Sequence, residues 1–261
     1  MAQAVDSPRE TRVKPVAVIP ARWASTRFPG KPLALLAGRP VVVHVVEACR
    51  RSGAFSDVRV ATDDQRIAAA VTSAGAAVER TATHHLSGTD RVAEVAGRLP
   101  PEIEVVVNVQ GDEPLVHPEA LRALAGAFDD PAVEMATLIR PLRPEERSTP
   151  HVVKALVDLR SDALYFSRAD VPFDRSGSPV ERWAHQGLYG YRRATLLRLA
   201  TLAPTPLERV ESLEQLRALE HGIRIRCVRT PHASIGVDTP EELARAEAQL
   251  SARPPGHLTQ L

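Results

Sequence analysis

Val16-Ala17-Val18-Ile19-Pro20-Ala21-Arg22-Trp23-Ala24-Ser25-Thr26-Arg27-Phe28-Pro29-Gly30-Lys31-Pro32-Leu33 is an apolar strand running into a loop that carries three cations. The run before Pro20 is short and unbroken, as in a buried strand, and Gly30 with two prolines marks a tight, shaped connection behind it. Arg22, Arg27 and Lys31 fall within ten residues. Fixed cations and backbone N–H groups on a loop at the carboxyl end of a strand make an anion site, because open α/β sheets bind ligands at that edge. A nucleoside triphosphate suits such a loop. It is not a Walker A loop, since Pro32 rather than Ser or Thr follows Gly30-Lys31 and the upstream glycine is missing.

Outward from this stretch, strand-like and helix-like segments alternate. Strands are expected at Pro15–Ile19, Asp57–Ala61, Ile103–Val109, Glu134–Arg140 and Val152–Asp158, with helices near Val41–Arg51, Gln65–Ala74, Asp90–Arg98 and Pro118–Phe128. That order predicts a doubly wound α/β sheet. Beyond Val152 two β-like pieces, Ala163–Ser167 and Gly187–Tyr191, flank a loop around Ser176–Pro179; two helices follow, then a strand at Arg224–Arg229 and a helix from Pro240. The expected division is a nucleotide-binding α/β domain over 14–150, an inserted lobe over 151–222 and a return to the main domain over 223–250. A flexible extension over 1–13 and a tail over 251–261 flank it.

Composition narrows the class. The 261 residues suffice for a substantial core, and 33 Lys plus Arg against 32 Asp plus Glu leave a net charge of +1. No global field gathers nucleic acid, so anion binding has to come from local placement. Cys49 and Cys227 lie far apart with no zinc-type spacing and read as buried thiols. The longest apolar runs, such as Val41-Val42-Val43-His44-Val45-Val46, fall well short of the roughly 20 residues that span a bilayer. Residues Met1 to Arg12 lack a signal peptide's apolar core, and a soluble cytoplasmic protein is the simplest expectation.

Two carboxylates stand out. In Val105-Val106-Val107-Asn108-Val109-Gln110-Gly111-Asp112-Glu113-Pro114, Asp112 follows a buried strand and emerges at the sheet edge that carries the cationic loop. In Gly236-Val237-Asp238-Thr239-Pro240-Glu241-Glu242, Thr239 is placed to N-cap a helix with Pro240 in its first turn and Glu242 at the capping-box position. Asp238 has no such local task and is free to join Asp112 on a divalent cation; magnesium favours one or two carboxylates plus phosphate oxygens.

These segments, together with Ser87-Gly88-Thr89-Asp90-Arg91 and Ala163-Leu164-Tyr165-Phe166-Ser167-Arg168, resemble the 3-deoxy-manno-octulosonate cytidylyltransferases, the CMP-Kdo synthetase family, in unbroken order from about Lys14 to Leu250. The resemblance implies a Rossmann-like nucleotidyltransferase sheet with a smaller sugar-binding and dimerisation lobe. It also implies a homodimer, Mg2+ as cofactor, and coupling of CTP to the sugar acid Kdo for lipopolysaccharide synthesis in the cytoplasm. By the same resemblance, Arg22, Arg27 and Lys31 hold the triphosphate; Asp112 and Asp238 hold metal; and Ser87, Gly88, Thr89 and Arg91 lie beside cytosine and ribose. Gln110 is expected to contact the nucleotide. Lys31, Asp112 and Arg22 are the expected catalytic residues.

For the sugar acid the resemblance points to Arg168, whose guanidinium suits a carboxylate as a bidentate fork, and to His185, Tyr189, Glu214 and Gln215. By residue type alone His185 reads as a satisfied core histidine, and Glu214 and Gln215 as part of a solvated Glu- and Arg-rich helix face. Gln186, beside the expected sugar site, bears on which octulosonate is preferred. Two other functions stay open: a cytidylyltransferase for another sugar acid, of the 8-amino-Kdo or sialic-acid type, and a non-catalytic nucleotide-binding protein. Loss of Lys31, Asp112 or Asp238 would mark the latter, and all three are present.

Overall fold

The computed structural model describes residues 14–24, 27–85, 87–177 and 180–252. The expected extension and nearly all of the expected tail lie outside these residues, as do Ser25 and Thr26 of the cationic loop. The strands are β1 (Val16–Pro20), β2 (Leu35–Leu36), β3 (Arg39–Pro40), β4 (Asp57–Thr62), β5 (Ala77–Arg80), β6 (Val105–Asn108), β7 (Met135–Pro141), β8 (Lys154–Val157), β9 (Ala163–Ser167), β10 (Trp183–Arg192) and β11 (Ile225–Arg229). The helices are α1 (Val41–Ser52), α2 (Gln65–Ser73), α3 (Gly88–Arg98), α4 (Pro118–Gly126), α5 (Arg193–Thr201), α6 (Pro206–Glu211), α7 (Gln215–Glu220) and α8 (Pro240–Ser251).

Nine strands form one sheet, whose main path runs β11-β7-β10-β6-β1-β4-β5, with β8 and β9 continuing from one end of β10. β1 pairs in parallel with β4 and β6, and β10 alone runs antiparallel between β6 and β7. Because side chains alternate along a strand, Ala17 and Ile19 enter one core with α1, α2 and α4, while Val16 and Val18 enter another with α3, α5 and α7. Both faces are covered, which is why the strands read as continuous apolar runs rather than alternating ones.

Much of the stretch 151–222, expected as an inserted lobe, lies in the central layers. The whole of β10 lies inside the central sheet, and α5 packs on α3 in the main helical layer. What extends outward is mainly the β8–β9 pair and its connections. The sequence pattern exposed only the second half of β10, because the first half, Trp183–Gln186, becomes a strand through nonlocal pairing with β7 and β8. Three helices rather than two follow it.

Parallel β1 and β6 end at the same edge, so the loops after Pro20 and Asn108 lie together there. A small third core of Leu36, Val41, Leu115, Val237 and Ala246 sits with them and joins the segments that carry Asp112 and Asp238. The Val237 N–H donates to the Asp112 carbonyl at 2.8 Å. Gly111 permits the closest approach, since a Cβ there would lie 2.6 Å from the Pro20 carbonyl oxygen, backbone that cannot swing aside. Gly111→Ala is therefore expected to lower the unfolding free energy by about 1–3 kcal/mol. Urea titration should show a lower midpoint at unchanged slope; an unchanged midpoint would mean that the two loops are free to separate.

Candidate active site

The cationic loop turns back on itself. Gly30 adopts φ +74° and donates its N–H to the Trp23 carbonyl at 3.0 Å, with the Trp23 ring packed against its α-carbon. A side chain at residue 30 would meet both that ring and a left-handed backbone, so glycine is required. The ring also carries the Arg66 guanidinium, 3.3 Å from a ring centroid. This fold-back returns Lys31 to the end of β1.

There the Lys31 ammonium donates to Asp112 Oδ2 and to Asp238 Oδ1, the latter at 2.7 Å, and Arg27 reaches Asp238 Oδ2 at 2.7 Å. Residues 31, 112 and 238, far apart in the chain, thus meet at one nitrogen. Burial pulls the Lys31 ammonium down, but the two carboxylates outweigh it and leave it raised. Burial pushes the Asp238 carboxyl up, and Lys31 with Arg27 outweighs that, holding it below the usual carboxylate range. Thr239 caps α8 as expected, accepting from the Glu242 N–H at 3.3 Å. Glu242 reaches back one residue further than a capping box would, accepting the Asp238 N–H at 2.7 Å, and so orients that carboxylate's own backbone.

Two neighbouring cavities open at this edge. One, of about 130 Å³, is walled by Arg22, Lys31, Ser87, Gly88, Arg91 and Asp112 among others. The second, of about 250 Å³, is walled by Thr89, His185, Tyr189, Tyr191, Glu214 and Gln215 among others. Gly88 and Gln110 border both. Gln110 donates to the Gly187 carbonyl at 3.1 Å, tying the loop after β6 to β10.

Ser87 N-caps α3 in a capping box with Asp90, so the Asp at that helix start serves as well as a Glu. Arg91 is 3% exposed, its guanidinium held by Thr81, the Ala82 carbonyl and Asp63. Burial raises the Glu214 carboxyl, an effect partly offset by the hydroxyls of Thr89 and Ser87. The Gln215 Nε2 is buried without a hydrogen-bond partner among the described residues. An orphaned donor in a cavity wall costs free energy until an acceptor arrives.

Arg168 is not brought to either cavity. Its guanidinium donates to the carbonyls of Glu211 at 2.8 Å, Pro150 at 3.0 Å and Ser212 at 3.3 Å, so it staples β9 to the end of α6. Gln186 likewise turns away, donating to the His232 carbonyl at 2.6 Å. His85, which the sequence reading passed over, lines the first cavity with its Nε2 on Glu94. The pair His84-His85 just ahead of the α3 cap was the available signal.

His117, Glu119 and His232 form a further cluster within reach of a metal. The two imidazoles stack at 3.6 Å and 7°, and His232 bonds Glu119 at 2.9 Å. Lone pairs in parallel planes do not converge on one ion, and magnesium prefers oxygen donors. Asp112 and Asp238 fit it better: their oxygens already converge on a cation, the Lys31 ammonium. Cys49 and Cys227 are buried free thiols.

A family model described as "Cytidylyltransferase" matches residues 16–225. A "3-deoxy-manno-octulosonate cytidylyltransferase" of Myxococcus xanthus is 58% identical over 240 residues, spanning 91% of this chain and 97% of that protein. The chain belongs to the 3-deoxy-manno-octulosonate cytidylyltransferase family. A second member, from Geobacter sulfurreducens, is 50% identical over 247 residues, covering 90% of this chain and 98% of its own. Among solved structures, a CMP:2-keto-3-deoxy-manno-octonic acid synthetase complexed with CTP superposes with a TM-score of 0.87 at 41% identity, covering 91% of this chain and 98% of its own.

In this member of the family, the charge triad makes a pH signature. The depressed Asp238 carboxyl contributes stability above its ordinary value of 3.8 and loses it as pH falls; the raised Lys31 ammonium contributes below 10.5 and loses it as pH rises. Lys31→Met, unfolded by urea in the presence of a chelator, is expected to cost about 1 kcal/mol at pH 7. The deficit should shrink towards pH 3, and an equal deficit at both pH values would assign the effect to packing rather than charge.

Proposed function

We propose that this protein transfers CMP from CTP to the anomeric hydroxyl of Kdo, releasing pyrophosphate and CMP-Kdo for lipopolysaccharide synthesis. The observation that carries this reading is the pair of contiguous cavities. One is edged with Arg22, Lys31 and Asp112, and the other is an aromatic-walled space with polar groups at His185, Glu214 and an unpartnered Gln215 donor. The 58% identity to a named 3-deoxy-manno-octulosonate cytidylyltransferase supports the same assignment.

The triphosphate would lie in the first cavity, with Arg22, Arg27 and Lys31 meeting its charge and the backbone around Ser87 and Gly88 beside the base and ribose. The sugar acid would occupy the second, its hydroxyls paired by His185, Tyr189, Glu214 and Gln215. Gly88 and Gln110, common to both walls, set the anomeric hydroxyl beside the α-phosphorus for in-line attack. Asp112 and Asp238 would hold Mg2+, which when bound polarises the α-phosphate and offsets the repulsion between two anionic substrates. Lys31, displaced from the two carboxylates onto the phosphates, stabilises charge on departing pyrophosphate. No covalent enzyme intermediate is required.

A homodimer in the cytoplasm accompanies this proposal. Phe173, 87% exposed, and Leu164, 64% exposed, offer apolar surface for a second copy to cover. In the described residues no helix is long and apolar enough to cross a membrane.

The reading is tested by pyrophosphate release with Mg2+ and CTP, supplying Kdo, its 8-amino analogue or a sialic acid in parallel, with and without chelator. Release is expected with Kdo and to vanish with chelator; preference for another acid would move the substrate and keep the chemistry. Asp112→Asn should lower kcat by about 100-fold or more while the protein stays folded. A near-normal rate in that variant would refute the metal assignment.

A further inference from the structure

Thr137, in β7, is 0% exposed, and its hydroxyl oxygen meets three polar atoms: the Leu188 carbonyl at 2.8 Å, the Gln186 carbonyl at 3.1 Å and His185 Nε2 at 3.0 Å. The crowding arises from an irregularity in β10. The register jumps from Gln186 opposite Leu138 to Tyr189 opposite Thr137, so Gly187 and Leu188 have no residue facing them in β7. The Gly187 carbonyl accepts from Gln110, and the carbonyls on either side of it converge on Thr137.

A hydroxyl has one proton, and carbonyl oxygens only accept. The Thr137 proton therefore goes to the carbonyls, with Leu188 the nearer. Its oxygen is left as an acceptor, so the third partner has to donate: His185 carries its proton on Nε2. The ring has no carboxylate partner among the described residues. Its neighbours are Phe166, edge-on with centroids 4.9 Å apart, and Tyr189, at 5.5 Å. Such an aromatic, desolvated setting disfavours a second proton, and burial pushes the imidazolium down to about 3. With Nε2 protonated and the ring neutral, Nδ1 is a bare lone pair on a residue of the second cavity's wall.

We propose that Thr137 is a positioning residue that locks His185 as the Nε2–H tautomer, so that Nδ1 accepts a hydrogen bond from a hydroxyl of the sugar acid. The proposal rests on the assignment of the second cavity to that substrate. It gives the cavity a polarity rule: at this point the wall takes a donor, and a ligand with only an acceptor there is rejected. The bulge, Thr137 and His185 act as one unit. Gln110 holds the middle carbonyl of the same bulge, which joins the tautomer lock to the nucleotide side.

Thr137→Val keeps the shape and removes the hydroxyl, while Thr137→Ser restores it. With 15N-histidine label and His185→Gln to assign the signal, unliganded wild-type protein is expected to show His185 with a protonated Nε2 and an unprotonated Nδ1. Thr137→Val should lose that single-tautomer signature and Thr137→Ser recover it. In the pyrophosphate assay, Thr137→Val is expected to raise KM for the sugar acid roughly 10-fold, leave KM for CTP within about twofold, and be rescued by Thr137→Ser. A wild-type Nδ1–H tautomer, or a Thr137→Val protein with unchanged signature and unchanged sugar KM, overturns the proposal. Because the spectrum needs no substrate, an inactive protein with the expected signature counts against the substrate assignment and not against the tautomer lock.

Discussion

One ammonium group between two carboxylates organises this end of the molecule. Lys31 is delivered by the Gly30 fold-back on Trp23, Asp112 by the loop after β6, and Asp238 by the segment ahead of α8; they meet only because the sheet edge and the third apolar core bring those segments together. Two unpaired carboxylates at this spot would repel, whereas Lys31 bridges both acids and Arg27 supplies the second positive charge on Asp238. Under the proposed function the same acids would pass to a metal ion as the lysine turned to phosphate, with charge balanced at each stage.

The antiparallel strand β10 matters almost as much. By entering between β6 and β7 it puts His185 and Tyr189 next to the loop that bears Gln110 and Asp112, where a detached lobe would have to reach across a hinge. Glu214 bonds to Thr89 and Ser87 of the α3 start, of which Thr89 borders the second cavity and Ser87 the first. The two cavities are therefore joined by Gly88 at the start of α3 and Gln110 in the loop after β6.

The parallel half of the fold was legible because Val-rich runs and capping residues are local signals: Thr239 caps the helix expected of it, and Lys31 and Asp112, which follow β1 and β6, meet Asp238 from the segment ahead of α8. β5 was missed because Ala77-Val78-Glu79-Arg80 carries two charges on an edge strand that needs little burial. The two-residue strands β2 and β3 are defined by a turn with positive φ at Ala37 and Gly38 rather than by any apolar pattern. The placement of β10 depends on pairing with strands far off in sequence, which periodicity does not encode. Arg168 was read for its chemistry, but the carbonyls that claim it belong to residues 150, 211 and 212, invisible from its own neighbourhood. Thr137 has a small hydroxyl inside an apolar strand, and its significance emerges only with the bulge opposite.

The third apolar core has a consequence for synthesis of the chain. Val237 and Ala246 supply part of it, and Asp238 lies between them, more than 120 residues after Asp112. While the ribosome is still holding the segment around α8, the sheet's central strands have already emerged, yet the acid pair is incomplete and Lys31 has only Asp112 to answer. A nascent chain can thus begin to fold around β1, β4 and β6 before Asp238 joins Lys31 and Asp112. Assembly of the cluster of Lys31, Asp112 and Asp238 awaits the arrival of α8, which packs Ala246 with Leu36 and Val41, made about 200 residues earlier.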